Sequence, residues 1–293
     1  MLLILTRLFR YLRANKAREQ VARRQRPLPG QRSAATGGLV GLTLHQARYD
    51  LRAVLRNKQA RLSTLILPPL LLVLFVSGLG GGSIGGHPAR AAYYAPSVSA
   101  LAILLACFAN LAVWLSVQRE SGVLKRRRTA PVPASVLIAG RSLATMATSL
   151  TAVAAVLSLA HAAYRVDLPL AGIPALAVTT IVGSITFATL AHALSSVLRS
   201  ADAAQPVVQA ITLPLCIASG VFIPDADLPT WLHALGSQFP LEPLADALHH
   251  AYAPASHGPA LATGDLAVLA AWALVGTAIA LLRFRWTPAP AGA

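Results

Sequence analysis

Residues 97–117 read SVSALAILLACFANLAVWLSV and contain no charged side chain. A bilayer core about 30 Å thick needs roughly 20 apolar residues in a helix that crosses it, and this stretch supplies them. It stops at Gln118-Arg119-Glu120, with Lys125-Arg126-Arg127-Arg128 just beyond. Charges packed this densely do not stay in hydrocarbon. The stretch reads as a membrane-crossing helix, and the chain as an integral membrane protein.

The pattern recurs on both sides. Upstream, residues 80–96 form a glycine-rich loop, and residues 62–79 form an apolar span that Pro68-Pro69 should kink. Backbone groups freed by that kink need a neighbouring helix or side chain. Residues 44–61 are amphipathic: Leu44, Ala47, Leu51, Val54 and Leu55 follow the helical period, while Arg48, Arg52 and Arg56 make a basic stripe. Such a helix lies along the interface ahead of the first span. Downstream, spans are expected at about 142–163, 171–194, 206–223 (interrupted by Pro214) and 266–282. The fold predicted is therefore all-α, with six transmembrane helices and an interfacial helix before them. Between spans five and six runs a long loop, in which Leu241, Leu244 and Leu248 give a short helix an apolar face.

Composition agrees with this. Of 293 residues, 55% are hydrophobic and only 12% charged, where a soluble domain carries roughly 25% charged residues. Mean hydropathy is +0.60. The net charge of +15 would suit nucleic acid, but its distribution points elsewhere. Six spans put both termini on one side, and 23 of the 25 basic residues then fall on that side, leaving Arg90 and Arg165 opposite. Asp167, Asp225, Asp227, Glu242, Asp246 and Asp265 fall opposite too. Basic residues collect on the cytoplasmic face, so both termini are expected in the cytoplasm and no nucleic-acid partner is implied. Residues 1–41 read as a basic cytoplasmic extension and linker, rich in Pro and Gly from residue 27. Within it, Leu5, Leu8, Phe9 and Leu12 share a helical face with arginines around them, which suits a short surface helix or a disordered basic tail equally. A secretory signal is not expected, because the charges follow the apolar residues instead of preceding them.

No catalytic set stands out. Lys16, Lys58 and Lys125 are the only lysines and none sits in a phosphate-binding loop, so this chain is not expected to hydrolyse ATP. Zinc-type motifs are missing, and His249, His250 and His257 in the long loop read better as polar residues at a wet interface than as metal ligands. Cys107 and Cys216 lie in apolar runs and suit packing. The span interiors contain no Asp, Glu, Lys or Arg, which argues against a proton-coupled carrier. Asn110, Gln209 and His192 are the polar groups left; they are candidates to line a pathway, although hydrogen bonding between helices is the commoner role.

Two segments carry more. Residues 118–133, QRESGVLKRRRTAPVP, place Glu120, Ser121 and Gly122 before Leu124, a basic run including Arg127, and the spaced pair Pro131 and Pro133. A short polar helix on the membrane surface, stopped by prolines, can dock in a cleft of a soluble partner. Residues 213–224, LPLCIASGVFIP, lead through Leu228-Pro229-Thr230-Trp231-Leu232 to Phe239-Pro240-Leu241.

The first segment resembles the cytoplasmic coupling segment of type-2 ABC exporter permeases, and the second resembles that family's fifth span and external helical hairpin. Arg56-Asn57 is similar to the family's pattern before its first span. The resemblance covers about residues 44–285; the run Arg126-Arg127-Arg128 is more basic than the family commonly shows. It implies a membrane-spanning exporter subunit occupying residues 42–293. Glu120, Ser121, Gly122, Leu124, Arg127, Pro131 and Pro133 would couple to the ATPase, and Ser219, Gly220, Pro224, Pro229, Trp231 and Pro240 would form the external gate. Its partners would be an ABC ATPase subunit, which would hold the ATP and magnesium, and a second permease in a homodimer or heterodimer. The cargo would be an amphiphile such as a drug, antibiotic or lipid. A composition rich in small residues, with arginine in place of lysine, suits a bacterium with a GC-rich genome, hence the plasma membrane. The competing reading is a carrier or channel that needs no ATPase.

Overall fold

The computed structural model describes residues 31–78, 88–120, 134–167, 172–198, 200–222, 231, 236–252 and 261–283. Among the described residues every regular element is a helix. The readings for residues 1–30 lie outside this set.

Two compact units divide the chain, Met1–Leu44 and His45–Ala293. In the first, residues 31–44 are helical, and Thr43 Oγ1 donates back to the Leu39 carbonyl at 2.8 Å. Helix α1, Gln31–Arg56, thus starts inside the stretch whose composition suggested a linker. Pro27 and Pro29 both precede it, and the glycines at 37, 38 and 41 each cost about 1 kcal/mol in a helix without forbidding one.

The second unit is a bundle. Helix α2, Leu62–Gly78, contains the prolines at 68 and 69. Each ring would collide with the carbonyl four residues back, and the turn carrying those carbonyls, Leu62–Ile66, is widened into π geometry. The two proline rings thus fall just after a loosened turn. Helix α3, residues 88–120, begins earlier than expected. Residues 88–96, read as loop, are helical. Pro88 occupies the first position, where no amide donor is needed, and Pro96 is held inside the helix. A further π turn, Leu104–Ala109, lies halfway along α3.

Helices α4 (Ala134–Tyr164), α5 (Ile173–Val197), α6 (Ala204–Ala218), α7 (Leu241–Tyr252) and α8 (Thr263–Arg283) complete the bundle. Among the described residues four helices, α3, α4, α5 and α8, are long and apolar enough to cross a membrane; α2 and α6 are shorter apolar helices. Helix α6 stops five residues before the expected end of its span, at a Ser219-Gly220 turn. Gly220 has φ 67°, a backbone state that only glycine enters without strain.

Helices α3 and α5 sit at the centre and touch most of the others. The closest pair is α5 with α8. A Cβ placed at Gly276 would stand 3.0 Å from the Leu190 amide nitrogen, so the two backbones meet there. Small residues allow such approach where apolar solvent gives no hydrophobic drive for helices to associate. Polar side chains tie the interior together. Ser149 and Ser184 bridge α4 to α5 at 2.7 Å, Ser142 pairs with His192 at 3.0 Å, and Thr186 Oγ1 donates to the Leu269 carbonyl at 3.0 Å. Of helices α2 to α8, α6 is the least attached, lying mainly against α3 with a small contact to α7.

Candidate functional site

A cavity of about 620 Å³ opens between α3, α5, α6 and α8. Phe108 and Phe187 close its inner wall with their rings edge to face, centroids 6.4 Å apart. Helix α6 supplies another wall through Ala210, Pro214 and Ala218. Trp272 of α8 stacks on Phe239 at 6.4 Å and closes one end. Its indole N–H donates to the Gln238 carbonyl at 3.2 Å, which spends the one polar atom of that ring. The lining is almost wholly apolar, and a volume in the range of drug-sized sites can take a hydrocarbon-rich molecule.

The segment expected to gate the chain adjoins the cavity. Ser219 ends α6 with its amide on the Leu215 carbonyl at 3.1 Å, and its buried hydroxyl has no hydrogen-bond partner among the described residues. The Gly220 carbonyl accepts from the Tyr93 hydroxyl at 3.2 Å. Pro240 is buried at the start of α7, and Trp231 is exposed. Pro224 and Pro229 lie outside the described residues. Beside the hinge, a Cβ at Gly236 would fall 2.1 Å from the Ala218 carbonyl oxygen, so only glycine fits that crossing.

Neither pathway candidate lines the cavity. Asn110 follows the π turn of α3 and donates to Thr64 Oγ1 at 2.7 Å and Ser63 Oγ at 3.4 Å on α2. Gln209 is exposed on α6. His192 is half-buried and engaged with Ser142.

At the opposite end of α3 lies Glu120, the one described member of the expected coupling set; Ser121, Gly122, Leu124, Arg127, Pro131 and Pro133 lie outside the described residues. The Glu120 carboxylate accepts the Ala201 amide, and neighbouring Arg119 donates to the Ser195 and Leu198 carbonyls. Past the undescribed segment, α4 seats against α1. A Cβ at Gly140 would meet Gln46 Cγ at 2.7 Å and the Ala47 amide nitrogen at 3.2 Å. Arg141 is buried there, with its guanidinium 4.6 Å from the Trp114 ring centre and the Asp50 carboxylate as its opposing charge.

Sequence reading missed Arg119 and Arg141 as anchors. Their charge was visible at the span edges, but their partners, a carbonyl 76 residues away and a ring on another helix, follow only from the packing. Among the described residues no group of three or more His, Cys, Asp or Glu is placed to hold a metal.

The pattern that defines the ABC-2 family transporter proteins matches residues 87–282, roughly two thirds of the chain. This chain is an ABC-2 family transporter protein. No curated protein matches it. In the ABC-2 frame, the match runs from the start of α3 to the end of α8, so it takes in the cavity, the Ser219-Gly220 hinge and Glu120. Helices α1 and α2 fall before it. Membership makes the chain the membrane subunit of a transporter, with multiple helices in the bilayer.

Proposed function

We propose that the chain is the permease of an exporter that moves an amphiphile, drug-like, antibiotic or lipid-like, outward across the bacterial plasma membrane, driven by ATP hydrolysed in a separate ABC ATPase. The observation that carries this reading is the cavity: an apolar recess of about 620 Å³ walled by helices of a transporter subunit. A sugar polymer would need hydroxyl partners that such a lining lacks.

Helices α2 and α6 would join the four longer ones to give six crossings, with both termini in the cytoplasm. Basic residues at the α3–α4 and α5–α6 connections and in α1 support that orientation. Helix α7 would be the re-entrant limb of an external hairpin. Trp272 holds Gln238 some nine residues along α8 from its outer end, which at 1.5 Å per residue is a depth of about 13 Å. The ATPase would dock on residues 121–133, which Glu120 adjoins, and a second permease, identical or related, would complete the transporter.

Reconstitution tests the reading. The permease is placed in vesicles with and without its candidate ATPase, and an amphiphilic dye is followed. Uptake into inside-out vesicles is expected to require both ATPase and ATP, and to survive an uncoupler. Transport by the permease alone, driven by an imposed pH step, would establish a carrier instead.

A further inference from the structure

Arg119 and Glu120 are adjacent, of opposite charge, and turned to the two sides of the α5–α6 turn. Arg119 donates through one guanidinium nitrogen to the Ser195 carbonyl and through the other to the Leu198 carbonyl. These are the last carbonyls of α5, where Leu198 leaves helical geometry with ψ 133°. A helix end of this kind lacks internal donors and carries partial negative charge that favours a cation. Glu120 accepts the amide of Ala201, in the turn that leads into α6. Ala201 stands two residues before the α6 N-cap, Ala203, on the side of that helix's positive end, which favours a carboxylate. The pair thus grips both sides of the α5–α6 turn, each residue on the dipole end that suits its sign.

The grip has a mechanical setting. Glu120 is the last described residue before 121–133, the segment proposed to meet the ATPase. On the other side of the turn stands α6, the least attached helix of the bundle, which walls the cavity and ends at the Ser219-Gly220 hinge. Resting on the exporter reading above, we infer that Arg119 and Glu120 form a clasp that carries displacement of residues 121–133 into the α5–α6 turn and so moves α6 against the cavity. They are positioning residues. The Glu120 carboxylate is engaged within the chain, so its part is distinct from that of a surface residue docking on the ATPase.

The test uses the full chain with its ATPase in lipid nanodiscs and vesicles, and the variants Arg119→Gln, Glu120→Ala and Glu120→Gln. A charge-assisted hydrogen bond contributes about 1.5–3 kcal/mol, so amide exchange in residues 200–204 should quicken roughly tenfold or more in Glu120→Ala and in Arg119→Gln. ATPase recovery with the purified permease and ATP hydrolysis should persist, while dye moved per ATP falls about tenfold. Glu120→Gln keeps an acceptor oxygen at the same reach and should restore both exchange and coupling. Unchanged exchange in the first two variants would overturn the clasp. Loss of ATPase recovery in Glu120→Ala and Glu120→Gln alike would make Glu120 a docking residue. Faster exchange with normal dye moved per ATP would overturn the force path. Wild-type vesicles without ATP-driven uptake would sink the exporter reading, and the force path with it, whatever the exchange result.

Discussion

Gly183 on α5 and Leu244 on α7 meet so closely that a Cβ at Gly183 would stand 2.6 Å from Leu244 Cδ1. This contact seats the short helix in the bundle, and α7 buries Leu241, Leu244 and Leu248 completely. Three glycines make close approaches of different kinds, and the atoms they face rank the cost of adding a methyl group. Gly183 faces the mobile end of a leucine. Gly276 faces the Thr189 carbonyl carbon and Leu190 nitrogen, both at 3.0 Å, and Gly236 faces the Ala218 carbonyl oxygen at 2.1 Å. Overpacking costs about 1–3 kcal/mol, and backbone yields less readily than a side chain. Gly183→Ala should therefore lower thermal stability in detergent least, Gly276→Ala more and Gly236→Ala most. A reversed order in melting experiments would mean that α7 is held more rigidly than α8.

Much of this architecture was legible in the sequence, and the parts that were not share a cause. Charge-free runs near residues 97–117, 142–163, 171–194 and 266–282 announced α3, α4, α5 and α8, because the bilayer's thickness sets their length. The start of α3 was misjudged: Pro96 looked like a loop terminus, but one proline in a packed apolar helix is tolerated. Helix α6 ends early because Gly220 turns left-handed, which the letters Ser-Gly permit without requiring. The cavity was invisible, since Phe108, Phe187, Pro214 and Trp272 meet only after four helices assemble. Arg119 and Glu120 advertised their charges and hid their carbonyl and amide partners.

A second prediction concerns Arg141. Its guanidinium lies over Trp114, a contact of the kind that contributes about 0.5–2 kcal/mol according to burial. Trp114→Leu and Arg141→Gln should each destabilise the purified protein. The double variant should lose less than the two together, by about that coupling. Strict additivity would mean that the ring merely covers the charge.

The orientation can be read with an impermeant thiol reagent on intact cells, since Cys107 and Cys216 are both buried. Thr263→Cys, exposed at the start of α8, should react. Lys58→Cys, exposed after α1, should react only once the membrane is opened. The opposite result would place the 23 basic residues outside and invert the proposed topology.

Asn110 gives a smaller effect. Its bond to Thr64 links α3 to α2, and interhelical hydrogen bonds in membranes average about 0.6 kcal/mol. Asn110→Ala should lower stability by an amount of that order and leave the affinity for cargo unchanged, because the residue does not line the cavity. A large loss of cargo binding would return Asn110 to the pathway.

The cavity itself is tested by two neighbours on α6. Ala210 faces the recess, while Gln209 is exposed and outside its lining. Phenylalanine at Ala210 would occupy space that cargo needs and displace part of its apolar contact. At roughly 25 cal/mol per Å², about 40–50 Å² of lost contact is near 1 kcal/mol, or roughly a fivefold weaker affinity for a bulky amphiphilic dye. Gln209→Phe adds the same ring to the same helix and should leave binding unchanged. Equilibrium binding to the purified permease reads this without ATP or a partner, so the result does not depend on the energy source. Equal affinities in Ala210→Phe, Gln209→Phe and the parent would show that cargo binds elsewhere, and the cavity would then be a seat for ordinary lipid chains.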